Sequence, residues 1–222
     1  MNRGDKKKIL LSEVVERNIS SAFLREHTVS DRKKYKRTSF LENLIPVSRE
    51  ENYTELFKNG KFTGDIYKYT MTFKFNTFGV ISDLTPVFVK DPPWLFYYTD
   101  ITGDAGFYHS YTPNEIEEIA EKITKLSILL DKEFNLDLVL LFIPNKYTLY
   151  HKLINNDKYN DFIPRLNSEL GKKGVETVNV YDAFKSSDEI LYYPTDTHWN
   201  EKGMKIALGL ILEKIRSLEA TR

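Results

Sequence analysis

Asp196 and His198 stand two residues apart in YYPTDTHWNEKGMKIAL, the stretch from Tyr192 to Leu208, just ahead of an apolar helical pattern. The chain has only four His, so one in so particular a setting invites a chemical explanation. An Asp carboxylate that accepts a hydrogen bond from one imidazole nitrogen fixes the ring's tautomer, and it leaves the other nitrogen to take a proton from a hydroxyl nucleophile. The pair therefore reads as two-thirds of a Ser-His-Asp triad. By spacing alone it reads equally as a loop Asp that caps a turn beside a His that satisfies a backbone carbonyl. His27, His109 and His151 lack a patterned partner, and no H-x-x-x-H or comparable ligand spacing occurs, so neither a metal site nor a cofactor is expected.

A site of this kind needs elements that hold it. In an open α/β sheet, loops after the carboxyl ends of the strands converge on a crevice, and the order of patterns from residue 112 predicts such a sheet. TPNE at Thr112–Glu115 offers an N-cap, Pro at the first helical position and Glu three residues after the cap. Ile116, Ile119, Ile123, Leu126 and Leu130 then recur on one helical face, which carries the helix to about Phe134. LDLVLLFIP, Leu136 to Pro144, is a nearly continuous apolar run, as expected of a central strand covered on both faces. DFIPRLNSELGKKG predicts a second helix that Gly171 or Gly174 ends, VETVNVYDAF the next strand, and NEKGMKIALGLILEKIRSLE a last helix capped by Asn200. Helix, strand, helix, strand, helix favours a parallel sheet between helical layers.

Upstream the signals differ. SEVVERNISSAFLRE, residues 12–26, places Val15, Ile19 and Phe23 at helical spacing and predicts an amphipathic helix packed outside the main fold. IYKYTMTFKF alternates Tyr67, Tyr69, Met71, Phe73 and Phe75 with mostly polar neighbours, the period-2 pattern of a half-buried strand. LTPVFVKDPPWLFYYT predicts two short extended pieces broken at Pro92 and Pro93.

At 222 residues and 41% hydrophobic the chain can bury a core. No run approaches the roughly 18 apolar residues of a membrane span, and the N-terminus turns polar too soon for a signal peptide, so a soluble chain is expected. Zero Cys excludes disulfides and thiolate metal sites but leaves the compartment open. The formal charge of zero hides an asymmetry, with 11 basic against 5 acidic residues in the first 40. DRKKYKR, Asp31 to Arg37, reads as a solvated basic loop, and without a nucleic-acid reading motif it does not predict nucleic-acid binding.

DTHWNEKG followed by an apolar helix resembles the D-x-H-W block of the SGNH-hydrolase-like family that contains the alginate and related polysaccharide O-acetyltransferases. Further blocks are similar in the same order: PPWLFYYTD to the W-L-F segment, YTPNEIEEIAEKI to the helix after it, and LLFIPNKYTLY to the strand ending in P-[ND]-K. The resemblance covers roughly Phe75 to Leu218. It implies an α/β, three-layer α/β/α SGNH-like domain with a mostly parallel sheet at residues 75–222, preceded by an N-terminal helical and strand extension at 1–74. It also implies acyl-ester chemistry, O-acetyl transfer to or hydrolysis from a polysaccharide. In that chemistry His198 resembles the family's general base and Asp196 the carboxylate that orients it, with Trp199 packing under the site.

A polysaccharide or acetylated small ester is then the implied substrate. A membrane-bound acetyl-donor partner and an extracytoplasmic location follow from the same resemblance.

The nucleophile departs from the pattern. In the family a Ser in a G-[DT]-S-[FL] block follows the D-x-H-W block, whereas the 24 residues after His198 read as one helix holding only Ser217. The Gly-Asp pairs continue as GDK, GDI and GDA, none with a serine. Ser12 reads as a helix cap, and Ser39 in RTSF lacks the preceding strand that a nucleophile elbow needs. Asn145, after the apolar strand, is a candidate oxyanion-hole donor and equally a plain turn residue. The readings left open are an enzyme whose serine is not identifiable, a noncatalytic carbohydrate-binding or scaffold relative, and a part of a longer enzyme.

Overall fold

Leu136–Ile143 forms strand β4, the centre of a parallel three-stranded sheet. Its register pairs Lys8–Val15, strand β1, residue for residue from Lys8↔Leu136 to Val15↔Ile143, and on the other side Val139–Leu141 with Glu176–Val178, strand β5. The computed structural model of the chain describes residues 7–24, 61–78, 87–89, 93–102 and 106–220. Within these, α1 spans Glu16–Phe23, α2 Lys61–Phe78, and β2 (Val87–Val89) pairs antiparallel with β3 (Trp94–Phe96). Then follow α3 (Tyr98–Thr102), α4 (Pro113–Phe134), α5 (Lys146–Tyr150) with a 3₁₀ turn at His151–Leu153, α6 (Phe162–Lys172), α7 (Val180–Lys185) and α8 (Glu201–Ala220).

The apolar run of β4 is continuous because both its faces are covered, as alternating side chains of a strand demand. Leu138, Leu140 and Phe142 join Ile19 of α1, Ile116, Ile119 and Ile123 of α4, and Phe162, Ile163, Leu166 and Leu170 of α6 in one core. Val139, Leu141 and Ile143 face the other way, into Val180 and Phe184 of α7 and Ala207 of α8. Three layers result, α/β/α, as the sequence predicts.

Helix α4 starts where its cap is. Thr112 Oγ1 accepts from Glu115 N at 3.2 Å, and Thr112 N donates to Glu115 Oε2 at 2.7 Å, a reciprocal capping box. Ile116, Ile119 and Ile123 are buried and Leu130 packs at the core's edge, but Leu126 is exposed, so the expected apolar face holds only in part. Helix α6 accommodates Pro164 in its first turn, where a missing N–H breaks no intrahelical bond.

Four expectations are corrected. Residues 12–15 are strand, not helix: Ile9, Leu11 and Val14–Val15 extend against β4, and only Glu16–Phe23 winds as α1. The chain divides into two compact units, Met1–Glu26 with Leu84–Arg222 and His27–Asp83, and α1 does not pack outside the main fold as expected but brings Ile19 into the core beside the sheet. The aromatic alternation at Tyr67–Phe75 lies in helix α2, not in a strand. VYDAF is helical, because Asn179 Oδ1 accepts from Asp182 N and caps α7 directly after the short β5. His27, Ser39 and the basic stretch 31–37 lie outside the described residues.

Candidate functional site

Residues 193–198 make the connection into α8, and they are held at the carboxyl end of β4. Tyr192 donates its buried hydroxyl to Pro144 O at 2.5 Å, just past the strand's last residue. Tyr192 also bridges Trp199 in antiparallel fashion, and Tyr193 N donates to His198 O at 3.1 Å. The loop therefore returns on itself, and Asn200 ends it: its Oδ1 accepts from Lys202 N at 2.9 Å and Gly203 N at 3.1 Å and caps α8. Trp199 packs edge-on against Phe184 at 5.9 Å between ring centroids, beneath the loop as expected.

At the tip, His198 Nδ1 and Asp196 Oδ1 are 2.5 Å apart, and the backbone N–H of His198 donates to the same oxygen at 3.1 Å. Partial burial pushes the Asp196 carboxyl up. The hydrogen bonds from the His198 ring, its backbone N–H and that of Thr197 outweigh this and hold it below the ordinary 3.8. An ionised carboxylate only accepts, so the neutral ring must carry its proton on Nδ1, and Nε2 keeps its lone pair. The imidazole is 76% exposed, open to a hydroxyl from solution. None of the described residues offers Nε2 a hydroxyl within hydrogen-bonding distance. Ser12, one candidate serine, lies mid-strand opposite Leu140 in β1, neither cap nor elbow.

Because β1 and β4 run parallel in register to Val15↔Ile143, the residues after each strand meet beside this loop. Those after β1 are Glu16, Arg17 and Asn18, with no hydroxyl at the strand-to-helix turn. Glu16 is buried; its Oε2 accepts from Asn145 N and Thr148 Oγ1, both at 2.7 Å, and its Oε1 from Tyr159 OH at 2.6 Å. Burial raises the Glu16 carboxyl to about 7 against the pull of those three donors. Arg17 N donates to Asn145 Oδ1 at 3.3 Å, and Arg17 Nη1 pairs with buried Asp100 Oδ1 at 3.1 Å. Burial lifts Asp100 to about 6, with Arg17 and Lys146 opposing. Asn145, 1% exposed, finds no partner for its Nδ2 donor among the described residues, as Asp100 finds none for Oδ2.

Lys146 is 1% exposed, and its ammonium lies among backbone carbonyls, among them those of Tyr193, Pro194 and Asp196 in the dyad's own loop. Burial lowers it to about 8, while the charges of Asp196 and Asp100 resist. Glu16, Arg17, Asp100 and Lys146 were not singled out from sequence; only the PNK wording around Lys146 hinted at a role. His109 instead stacks edge-on against Tyr111, and His151 is buried with Nδ1 3.1 Å from Thr148 O.

Residues 87–221 match the SGNH hydrolase-like domain of acetyltransferase AlgX. The chain belongs to this family. Its parallel sheet and helical layers fit that domain, and the family places the chain broadly within acetyltransferase- and esterase-type chemistry. No curated protein and no solved structure is significantly similar to the chain. Among the described residues no helix is long and apolar enough to cross a membrane.

Proposed function

We propose that this SGNH-like chain carries out acyl-ester chemistry, O-acetyl transfer to or hydrolysis from a polysaccharide, with His198 as general base and Asp196 as the carboxylate that orients it. The observation that carries the reading is the 2.5 Å contact between Nδ1 and Asp196 Oδ1 on an exposed imidazole at the carboxyl end of β4. Nε2 takes the proton of an attacking hydroxyl, and Asp196 stabilises the imidazolium that forms. The unpartnered Nδ2 of Asn145 supports a role for it as a donor to the developing oxyanion, where loss of one donor typically costs about 10²–10³ in rate. An acetylated small ester would serve as a minimal substrate, and the family resemblance favours an extracytoplasmic setting with a membrane-bound acetyl-donor partner.

A second reading, a noncatalytic carbohydrate-binding or scaffold relative, is favoured by the turn after β1, where Glu16–Arg17–Asn18 offers no serine. Hydrolysis of an activated acetyl ester by wild type, His198→Ala and Asp196→Ala separates the two. A working base contributes about 10²–10⁴-fold, so the first reading expects a loss of that order in His198→Ala and a fall in Asp196→Ala. Labelling with a serine-reactive fluorophosphonate would then locate the nucleophile. Equal background rates in all three proteins would reject turnover by this chain alone and favour the second reading or a part of a longer enzyme.

A further inference from the structure

Lys146 is the first residue of α5, separated from the end of β4 only by Pro144 and Asn145, so its backbone is fixed by the sheet. Its Nζ lies 2.8 Å from Leu95 O, 2.8 Å from Tyr193 O, 2.5 Å from Pro194 O and 3.0 Å from Asp196 O. An ammonium has three N–H donors, so at least one of them is shared between two of the four oxygens. Trp94 and Phe96 close the other side, with the cation 5.0 Å and 5.3 Å from their ring centroids. Leu95 N adds a direct bond to Pro194 O at 2.9 Å, which ties β3 to the same loop.

Four carbonyl oxygens that converge on one point repel one another unless a cation occupies it. The ammonium therefore does more than fill space: it makes this path of residues 193–196 an energy minimum. Asp196 is held twice as a result, its carbonyl by Lys146 and its carboxylate by the ring and N–H of His198.

We propose that Lys146 is the positioning residue of the Asp196–His198 dyad, clamping the loop by its backbone so that the carboxylate meets Nδ1. This rests on the reading of the dyad given above. Lys146 touches neither the ring nor a substrate, and it acts through the main chain of residues 193–196.

The test compares Lys146→Met, close in volume but without charge or donors, and Lys146→Arg, which keeps both, with wild type and Asp196→Ala. The ¹⁵N shifts of His198 report its tautomer at a pH where the ring is neutral, and far-UV circular dichroism reports the fold. Wild type is expected in the Nδ1–H form and Asp196→Ala shifted toward Nε2–H. Folded Lys146→Met should shift with Asp196→Ala, and Lys146→Arg should return toward wild type. Where ester turnover is measurable, Lys146→Met should lose on the order of 10²-fold in kcat/KM, the effect of a displacement of about 1 Å in a catalytic group.

If Lys146→Met does not fold, Lys146→Gln, whose amide keeps two donors for the carbonyls, takes its place, and an intermediate tautomer ratio is expected. A Met or Gln variant that loses thermal stability yet keeps the wild-type tautomer overturns the proposal while leaving the dyad intact. A wild-type ring indistinguishable from that in Asp196→Ala overturns the dyad itself, and the clamp with it.

Discussion

Replacing Glu16 with Gln removes a titratable group from the junction of β1 and β4 while nearly preserving its shape. The wild-type carboxyl is buried and receives three hydrogen bonds, from Asn145 N, Thr148 Oγ1 and Tyr159 OH. Burial nonetheless leaves its folded value raised to about 7 from 4.5. Between those two values the unfolded chain has released the proton and the folded chain still holds it. The contribution of Glu16 to stability is therefore fully present below about 4.5 and is lost as the pH rises through about 7. At about 1.4 kcal/mol per pH unit, this interval corresponds to about 3 kcal/mol.

Gln cannot ionise, so its variant lacks this component. Asp100, raised by burial to about 6, changes stability in the same direction in both proteins, and since its charge helps to raise Glu16 the difference reports Glu16 together with its coupling to Asp100. Urea unfolding of wild type and Glu16→Gln at pH 5 and pH 8 measures that difference directly. Because pH 5 already lies above 4.5, wild type should be less stable relative to the variant at pH 8 than at pH 5 by about 2.5 kcal/mol. In absolute terms Glu16→Gln should cost most at pH 5, where the wild-type carboxyl contributes most, and at either pH its amide turns one donor toward the Tyr159 hydroxyl, which already accepts from Ile163 N at 3.0 Å. A difference that stays constant within about 0.5 kcal/mol between the two pH values, about the resolution of such cycles, or that moves the other way, would refute the account of the buried carboxyl.

Ile123→Ala, at a fully buried position between α4 and β4, should destabilise by roughly 2–5 kcal/mol in the same titration through lost burial and a cavity. A loss below about 0.5 kcal/mol would show that this face is not core. Gly203→Ala should lower the unfolding midpoint although alanine favours a helix by about 1 kcal/mol, because its Cβ would stand 2.6 Å from Leu191 O and 3.0 Å from Trp199 Cβ. Overpacking of that kind costs about 1–3 kcal/mol, and a raised midpoint would mean that the start of α8 can shift freely. In the same variant the strain falls on the segment that returns the chain from Leu191 to Asn200, so ester turnover, where measurable, should fall with stability.

Features set by neighbours in the chain were readable in advance. The capping box at Thr112–Glu115 and the Asn200 cap each join residues three positions apart, and their partners come with the helix that they begin. The pairing of Asp196 with His198 is of the same kind, since ring and backbone N–H of one residue reach the carboxylate two positions earlier, although the path of the loop that carries both also takes hydrogen bonds from the distant Lys146. The apolar run of β4 was legible as well, since burial on both faces removes the alternation that would otherwise mark a strand.

What tertiary structure decided involved competing local patterns. Ile66, Tyr69 and Phe73 stand at i, i+3 and i+7 while Tyr67–Phe75 also alternate, so the segment fits both periods, and α2 adopts the helical one with those three residues exposed. At residues 9–15 the apolar residues suit helix or strand, and the open edge of β4 supplied the hydrogen bonds that selected a strand. Leu126 follows Ile123 by three positions and so stands about 60° round the helix from it, and it is exposed while Leu130, a turn further on, packs at the core's edge.

The dyad's surroundings were beyond any local signal. Lys146 lies 47 to 51 positions from the four carbonyls it bonds, and Glu16 lies 129 and 132 positions from Asn145 and Thr148. Sequence by itself determined the caps, the central strand and the pairing of Asp196 with His198, because each is encoded within a few residues. The parallel register of β1 on β4 decided that Glu16 and Arg17 meet Asn145, and the packing of β3 and of residues 193–196 decided the setting of Lys146, because contacts between distant elements, not spacing along the chain, bring these groups together.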